Sequence, residues 1–101
     1  MATVYVTEYQ CCSVDAAGRA VPVGFGAPIA HSTVAVGAAA QSNAFSAQTH
    51  LIRVHTDAIC SILVGTNPIA SVATSMSRMA ANQTEYFGVM PGDRLGVISN
   101  T

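Results

Sequence analysis

Residues 48–68 constrain this chain more than any other stretch. The run Gln48-Thr49-His50-Leu51-Ile52-Arg53-Val54-His55-Thr56-Asp57-Ala58-Ile59-Cys60-Ser61-Ile62-Leu63-Val64-Gly65-Thr66-Asn67-Pro68 holds its densest branched apolar side chains. Such residues suit a pleated surface that is half or fully buried. The stretch reads as two strands forming a central hairpin, joined at Thr56-Asp57 and stopped by Gly65-Thr66-Asn67-Pro68. In the first strand Leu51, Arg53 and His55 lie opposite His50, Ile52 and Val54. Residues 58–64 are almost wholly apolar, which predicts a strand covered on both faces.

The other segments carry the same signature. Residues 3–9 alternate, with Val4, Val6 and Glu8 on one face and Thr3, Tyr5, Thr7 and Tyr9 on the other. Residues 14–19 form a turn, with Asp15 early and Gly18 late, and a short strand returns through 20–23. Pro22 lacks a donor, so that strand is short or at an edge. Gly24-Phe25-Gly26-Ala27-Pro28 breaks it. Residues 31–36 alternate again, with Val34 and Val36 opposed to Thr33 and Ala35.

Residues 37–47 are small and polar, a loop or at most one helical turn, with Phe45 as an anchor into the core. Residues 69–74 read as a short strand, and 76–82 allow a helical turn with Met76, Met79 and Ala80 on one side. Residues 84–90 and 94–99 are strands flanking a Pro91-Gly92-Asp93 turn. The expectation is an all-β single domain spanning 1–101, an antiparallel β-sandwich of about eight short strands, jelly-roll-like rather than immunoglobulin-like.

At 101 residues the chain has material for one core. Charged residues are only 9%, and lysine is absent, so the surface is built mostly from Ala, Ser, Thr, Asn, Gln and Gly. A net charge of −1 gives copies little reason to repel one another, which suits an assembled subunit. Arg19, Arg53, Arg78 and Arg94 form no basic run, so no nucleic-acid partner is expected. No segment reads as a leader or a membrane span, which predicts synthesis in the cytoplasm and no membrane partner. Cys11, Cys12 and Cys60 make no closed disulfide framework and are read as reduced, with Cys60 a buried, quiet thiol.

Candidate chemistry is sparse. His55, Asp57 and Cys60 offer an imidazole, a carboxylate and a thiol, and a small cupin-like metal-binding enzyme would use them. Their spacing argues otherwise, because His55 and Asp57 flank a turn while Cys60 sits in a strand and no second ligand pair follows. The expectation is that Asp57 satisfies turn amides and His55 lies on a polar face, with no metal and no cofactor. No nucleophile elbow is present, and the carboxylates are scattered at turns and strand ends. Neither a catalytic residue nor an enzymatic activity is expected. Tyr5 and Tyr9 share a face on which a ligand ring can stack, as in an adhesin, or on which another protein can pack.

Three pieces together carry a resemblance: Ile52-Arg53-Val54-His55-Thr56-Asp57-Ala58-Ile59-Cys60-Ser61-Ile62, then Gly65-Thr66-Asn67-Pro68, then Met79-Ala80-Ala81-Asn82-Gln83-Thr84-Glu85-Tyr86-Phe87-Gly88-Val89 with Pro91-Gly92-Asp93. Across residues 48–98 this pattern resembles small structural virion proteins of tailed bacteriophages and prophages. The resemblance implies a capsid decoration or cement protein, made in the host bacterial cytoplasm and placed on the capsid surface. Its partners would be the major capsid protein and further copies of itself, as a dimer or trimer. A tail, collar or fibre-associated adhesin is the alternative within the same group.

Contacts with the shell or between copies are assigned to the small polar segments 37–47 and 71–82 and to the first strand. The residues are Tyr5, Tyr9, Ser42, Asn43, Phe45, Met76, Arg78 and Met79. The first strand is also expected to serve as an arm that adds to a neighbouring sheet.

Overall fold

A computed structural model describes residues 2–14, 16–24, 26–71 and 77–100. Asp15, Phe25, residues 72–76 and hence Met76 lie outside the described residues, as does the second half of the strand expected at 69–74. The chain is all-β. Its strands are β1 (Thr3–Tyr9), β2 (Cys12–Val14), β3 (Ala20–Gly24), β4 (Ala30–Ala35), β5 (Ala40–Gln41), β6 (Leu51–Thr56), β7 (Cys60–Gly65), β8 (Ser77–Met79), β9 (Thr84–Gly88) and β10 (Arg94–Ser99). No helix among the described residues is long and apolar enough to cross a membrane.

Eight of these strands build two antiparallel four-stranded sheets, ordered β4-β1-β6-β9 and β5-β10-β7-β8, while β2 and β3 form a separate two-stranded hairpin. The even-numbered residues of β1 and β6 face inward, and Val4, Val6, Ile52 and Val54 are buried there. From the second sheet Cys60, Ile62, Met79, Leu95 and Val97 meet them in one core, which makes a small β-sandwich.

The central hairpin does not form. Thr56-Asp57-Ala58-Ile59 carries the chain from β6 in the first sheet to β7 in the second, so the two strands never pair. Thr56, fully buried, organises this crossing: its hydroxyl donates to the Ala58 carbonyl at 2.6 Å and accepts from the Ala58 amide at 3.2 Å. The turn amide expected to bond Asp57 is satisfied by this threonine instead. The strand predicted as covered on both faces is so only at its start, where Cys60, Ser61 and Ile62 are buried; Leu63 is 42% exposed.

Three further expectations change. Residues 69–71 are not strand; with Pro68 they form a strap over the outer face of the second sheet, Pro68 and Ala70 buried and Ile69 exposed. Gly96 permits this strap, because a Cβ there would stand 2.6 Å from the Pro68 carbonyl oxygen. Residues 77–79 are strand rather than helical turn, since their backbone completes β7: Cys60 pairs with Met79 and Ile62 with Ser77. The 37–47 loop contains β5, and beyond it the Ser42 amide donates to the Leu95 carbonyl at 2.8 Å while its hydroxyl accepts from the Leu95 amide at 2.9 Å. Turn chemistry holds at Gly18 and Gly92, whose φ values are +82° and +86°.

Candidate functional site

The site grows from ladder parity. Along β1 the odd-numbered residues face away from the core, and the register sets Tyr5 opposite Thr33 on one side and His55 on the other. His55 is opposite Thr84 in turn. One row thus reads Thr33, Tyr5, His55, Thr84. The next reads His31, Thr7, Arg53, Tyr86. Together they form the outward face of the first sheet.

This face is rich in rings and poor in charge. The Tyr5 and His55 rings lie 6.3 Å apart, and His55 Nδ1 is 2.8 Å from the Thr84 hydroxyl. Among the described strand residues of this face Arg53 is the one permanent charge, and the Asp57 carboxylate stands at its border just past β6. At the far end the β2–β3 hairpin covers it, with the Tyr9 ring lying where a Cβ on Gly24 would have to go. Leu51, on the same face beside Tyr9, is buried.

A threonine hydroxyl, an imidazole and a carboxylate do line up here, as Thr84, His55 and Asp57. His55 Nε2 stands 4.0 Å from Asp57 Oδ1, beyond hydrogen-bond reach, so the carboxylate does not orient the ring as a catalytic acid would. Nor do the proposed metal ligands converge. The Cys60 thiol is buried and points to the Thr56 hydroxyl at 3.6 Å, and burial pushes its pKa up against a smaller downward pull from that contact. Among the described residues no group of three or more His, Cys, Asp or Glu side chains is placed to hold a metal, and no pocket opens.

A buried carboxylate lies on the other side of β1. Glu8 faces inward at 6% exposure, and its Oε1 accepts from the Ser46 amide at 2.9 Å and the Thr49 hydroxyl at 2.7 Å. It pins the loop between β5 and β6 to the sandwich, a structural duty that explains an acid in an otherwise apolar row.

The residues assigned to contacts are dispersed. Tyr5, Asn43 and Arg78 are exposed, and Tyr9 is half-buried beneath the hairpin end of the face. Ser42, Phe45 and Met79 are buried and turn into the sandwich, so none of them offers a side chain to a partner. Segment 37–47 is likewise no detachable arm, because Phe45 fills the core and its amide and carbonyl bond Asp93 and Gly92. Neither is β1 an arm: it is an interior strand, paired on both sides.

Sequence reasoning placed Tyr5 and Tyr9 together but missed Thr33 and Arg53 on the strands flanking theirs and Tyr86 beyond Arg53. The odd-numbered alternation of 31–36 and 51–56 was the available signal. No protein-family model, no curated protein and no solved structure matches the chain.

Proposed function

We propose that the chain is a non-enzymatic structural protein of a bacteriophage virion, a decoration or cement protein that binds the outer face of the major capsid shell and stabilises it as a homo-oligomer. The observation that carries this reading is the outward face of the first sheet, where Tyr5 is exposed and His55, Arg53 and Tyr86 are half-buried among threonines. Protein interfaces favour that composition, with aromatic residues and arginine enriched and Lys, Glu and Asp depleted. A shell surface that meets it presents carboxylates or carbonyl oxygens opposite Arg53.

Two other features support the reading. With charged residues at 9% and a net charge of −1, copies can sit close together on a shell without strong repulsion. The strand order supports it as well: taken from β4 to β10, with β1 in the last place, the two sheets are compatible with a jelly-roll order of strands. Capsid and lectin domains use that architecture. Tyr5, Asn43 and Arg78 remain the residues to contact a partner, with Tyr9 at the margin of the face.

Quantitative mass spectrometry of purified particles, measured against the major shell protein, tests the proposal. A copy number comparable with that of the shell protein is the expected result, because only the shell repeats a site so often. A copy number far below it assigns the chain to the tail or neck and favours the adhesin, with Tyr5 as part of the ligand platform. Absence from particles overturns both.

A further inference from the structure

We infer that two copies of this chain join edge to edge through β4, in an antiparallel pair whose two-fold axis passes beside Thr33. The ladder decides which backbone groups are open. The Val36 amide donates to the Ala2 carbonyl at 3.1 Å, and the register runs from Thr3 opposite Ala35 to Glu8 opposite Ala30. The even-numbered residues of β4 therefore exchange bonds with β1. The amides and carbonyls of His31, Thr33 and Ala35 point the other way, along the rim of the sheet. Among the described residues no strand pairs with that rim.

A row of open N–H and C=O groups is a template for another strand, and proteins that avoid such pairing block the edge. β4 has none of the usual blocks: no proline, no Lys, Arg, Asp or Glu, and no shift in its register with β1. His31, Thr33 and Ala35 are all exposed. The other rims differ. β5 has 2 residues, β8 has 3 with Arg78 among them, and β9 carries Glu85.

The occupant is a second copy because the rim is complementary to itself. With the axis beside Thr33, that residue meets the partner's Thr33, and His31 meets the partner's Ala35. Every open amide and carbonyl of the three residues then bonds. Moving the axis to Ser32 leaves Ala35 unpaired, and moving it to Val34 leaves His31 unpaired. The chosen register also keeps the two imidazoles from facing each other, so protonated histidines do not oppose the contact directly. The row Thr84, His55, Tyr5, Thr33 runs on through the partner's Thr33, so the dimer presents one unbroken outward face built from two four-stranded sheets.

This inference rests on the homo-oligomer in the proposed function and gives it a contact surface. Its test uses the purified full chain, so its failure leaves the particle copy number to judge the virion role separately. Sedimentation equilibrium over a concentration series is expected to show a monomer–dimer equilibrium. Thr33→Pro removes an amide that plays no part in the β1 ladder, at a place where an edge strand accepts proline. It is expected to raise the dimer Kd at least about tenfold, the loss of one hydrogen bond per copy. Thr33→Lys sets two ammonium groups across the axis and gives the same loss should the proline variant fold poorly by circular dichroism. Thr84→Pro is the control: the Thr56 amide bonds Gln83 and the Val89 amide bonds His50, so the Thr84 amide faces the opposite rim, and this variant dimerises like wild type. A wild type that stays monomeric, Thr33 variants that associate normally, or equal loss in Thr84→Pro overturns the assignment.

Discussion

Tyr5 and His55 stand directly opposite each other across the β1–β6 ladder, their ring centroids 6.3 Å apart and their planes inclined by 38°. His55 is held from its other side by the Thr84 hydroxyl at 2.8 Å. Three strands therefore fix the orientation of one outward row before any partner arrives. Side chains already ordered lose less freedom on binding than free ones do, which favours association.

Replacing Tyr5 separates binding from folding. Tyr5→Ala removes an exposed cross-strand ring, so it is expected to lower stability by only about 0.5–1 kcal/mol in urea unfolding. Under the proposed function the same variant loses at least about tenfold in affinity for undecorated shells, since a central aromatic commonly contributes more than 1.4 kcal/mol to an interface. Normal shell binding by Tyr5→Ala removes this face from the contact.

Glu8 gives a different expectation, of stability without function. Glu8→Ala leaves the Ser46 amide and the Thr49 hydroxyl without their acceptor and should cost about 2–4 kcal/mol. Glu8→Gln keeps a carbonyl oxygen in place and should cost less than half of that. Chemical denaturation midpoints of the two variants check the order.

Glycine at 96 answers to the strap above it. Gly96→Ala drives a Cβ against the Pro68 carbonyl, a backbone atom that cannot swing aside, and is expected to destabilise by about 1–3 kcal/mol. Gly65→Ala meets nothing within 4 Å and serves as the comparison, with a change within about 0.5 kcal/mol. Thermal melts of the two proteins distinguish them.

The Cys60 thiol makes stability fall on the alkaline side. Its pKa is raised in the folded chain by burial, so above the ordinary thiol value the unfolded chain has released a proton that the folded chain retains. Fewer protons bound when unfolded means that stability decreases with rising pH through that window and is fully present below it. Cys60→Ala is expected to flatten this part of the decline in melting temperature between neutrality and about pH 10. A decline as steep as in wild type assigns it to other groups.

Much of the sandwich was legible because local chemistry sets it. Alternation placed β1, β4 and β6, apolar and aromatic content placed β9 and β10, and Pro91-Gly92 supplied the φ values its turn needs. What local chemistry does not set is which strand a strand pairs with. Thr56-Asp57-Ala58-Ile59 resembles a hairpin connection in length, yet it lacks the Asn-Gly or Asp-Gly pair that two-residue hairpins favour, and the chain changes sheets there. Ser42 was misplaced for a related reason. A small hydroxyl residue reads as surface, but its side chain here extends the β10 pairing by accepting the Leu95 amide. The candidate face had the same limit: parity told which residues point outward, and only the register brought Arg53 beside Thr7 and Tyr86 beside Arg53.

The crossing at residues 57–59 also governs how the chain comes together in time. Because β6 and β7 part into different sheets, the ladders of both sheets join strands far apart in sequence, such as β4 with β1, β6 with β9 and β10 with β5. Among the described residues only the β2–β3 hairpin closes across a short turn. Long loops must therefore be closed before either sheet yields its burial, which puts folding in the slow range for a chain of this size, roughly milliseconds to seconds. During that interval β1 and β6 are exposed strands with free edges, and a cell that makes the chain in quantity has to keep its nascent copies apart until the sandwich shuts.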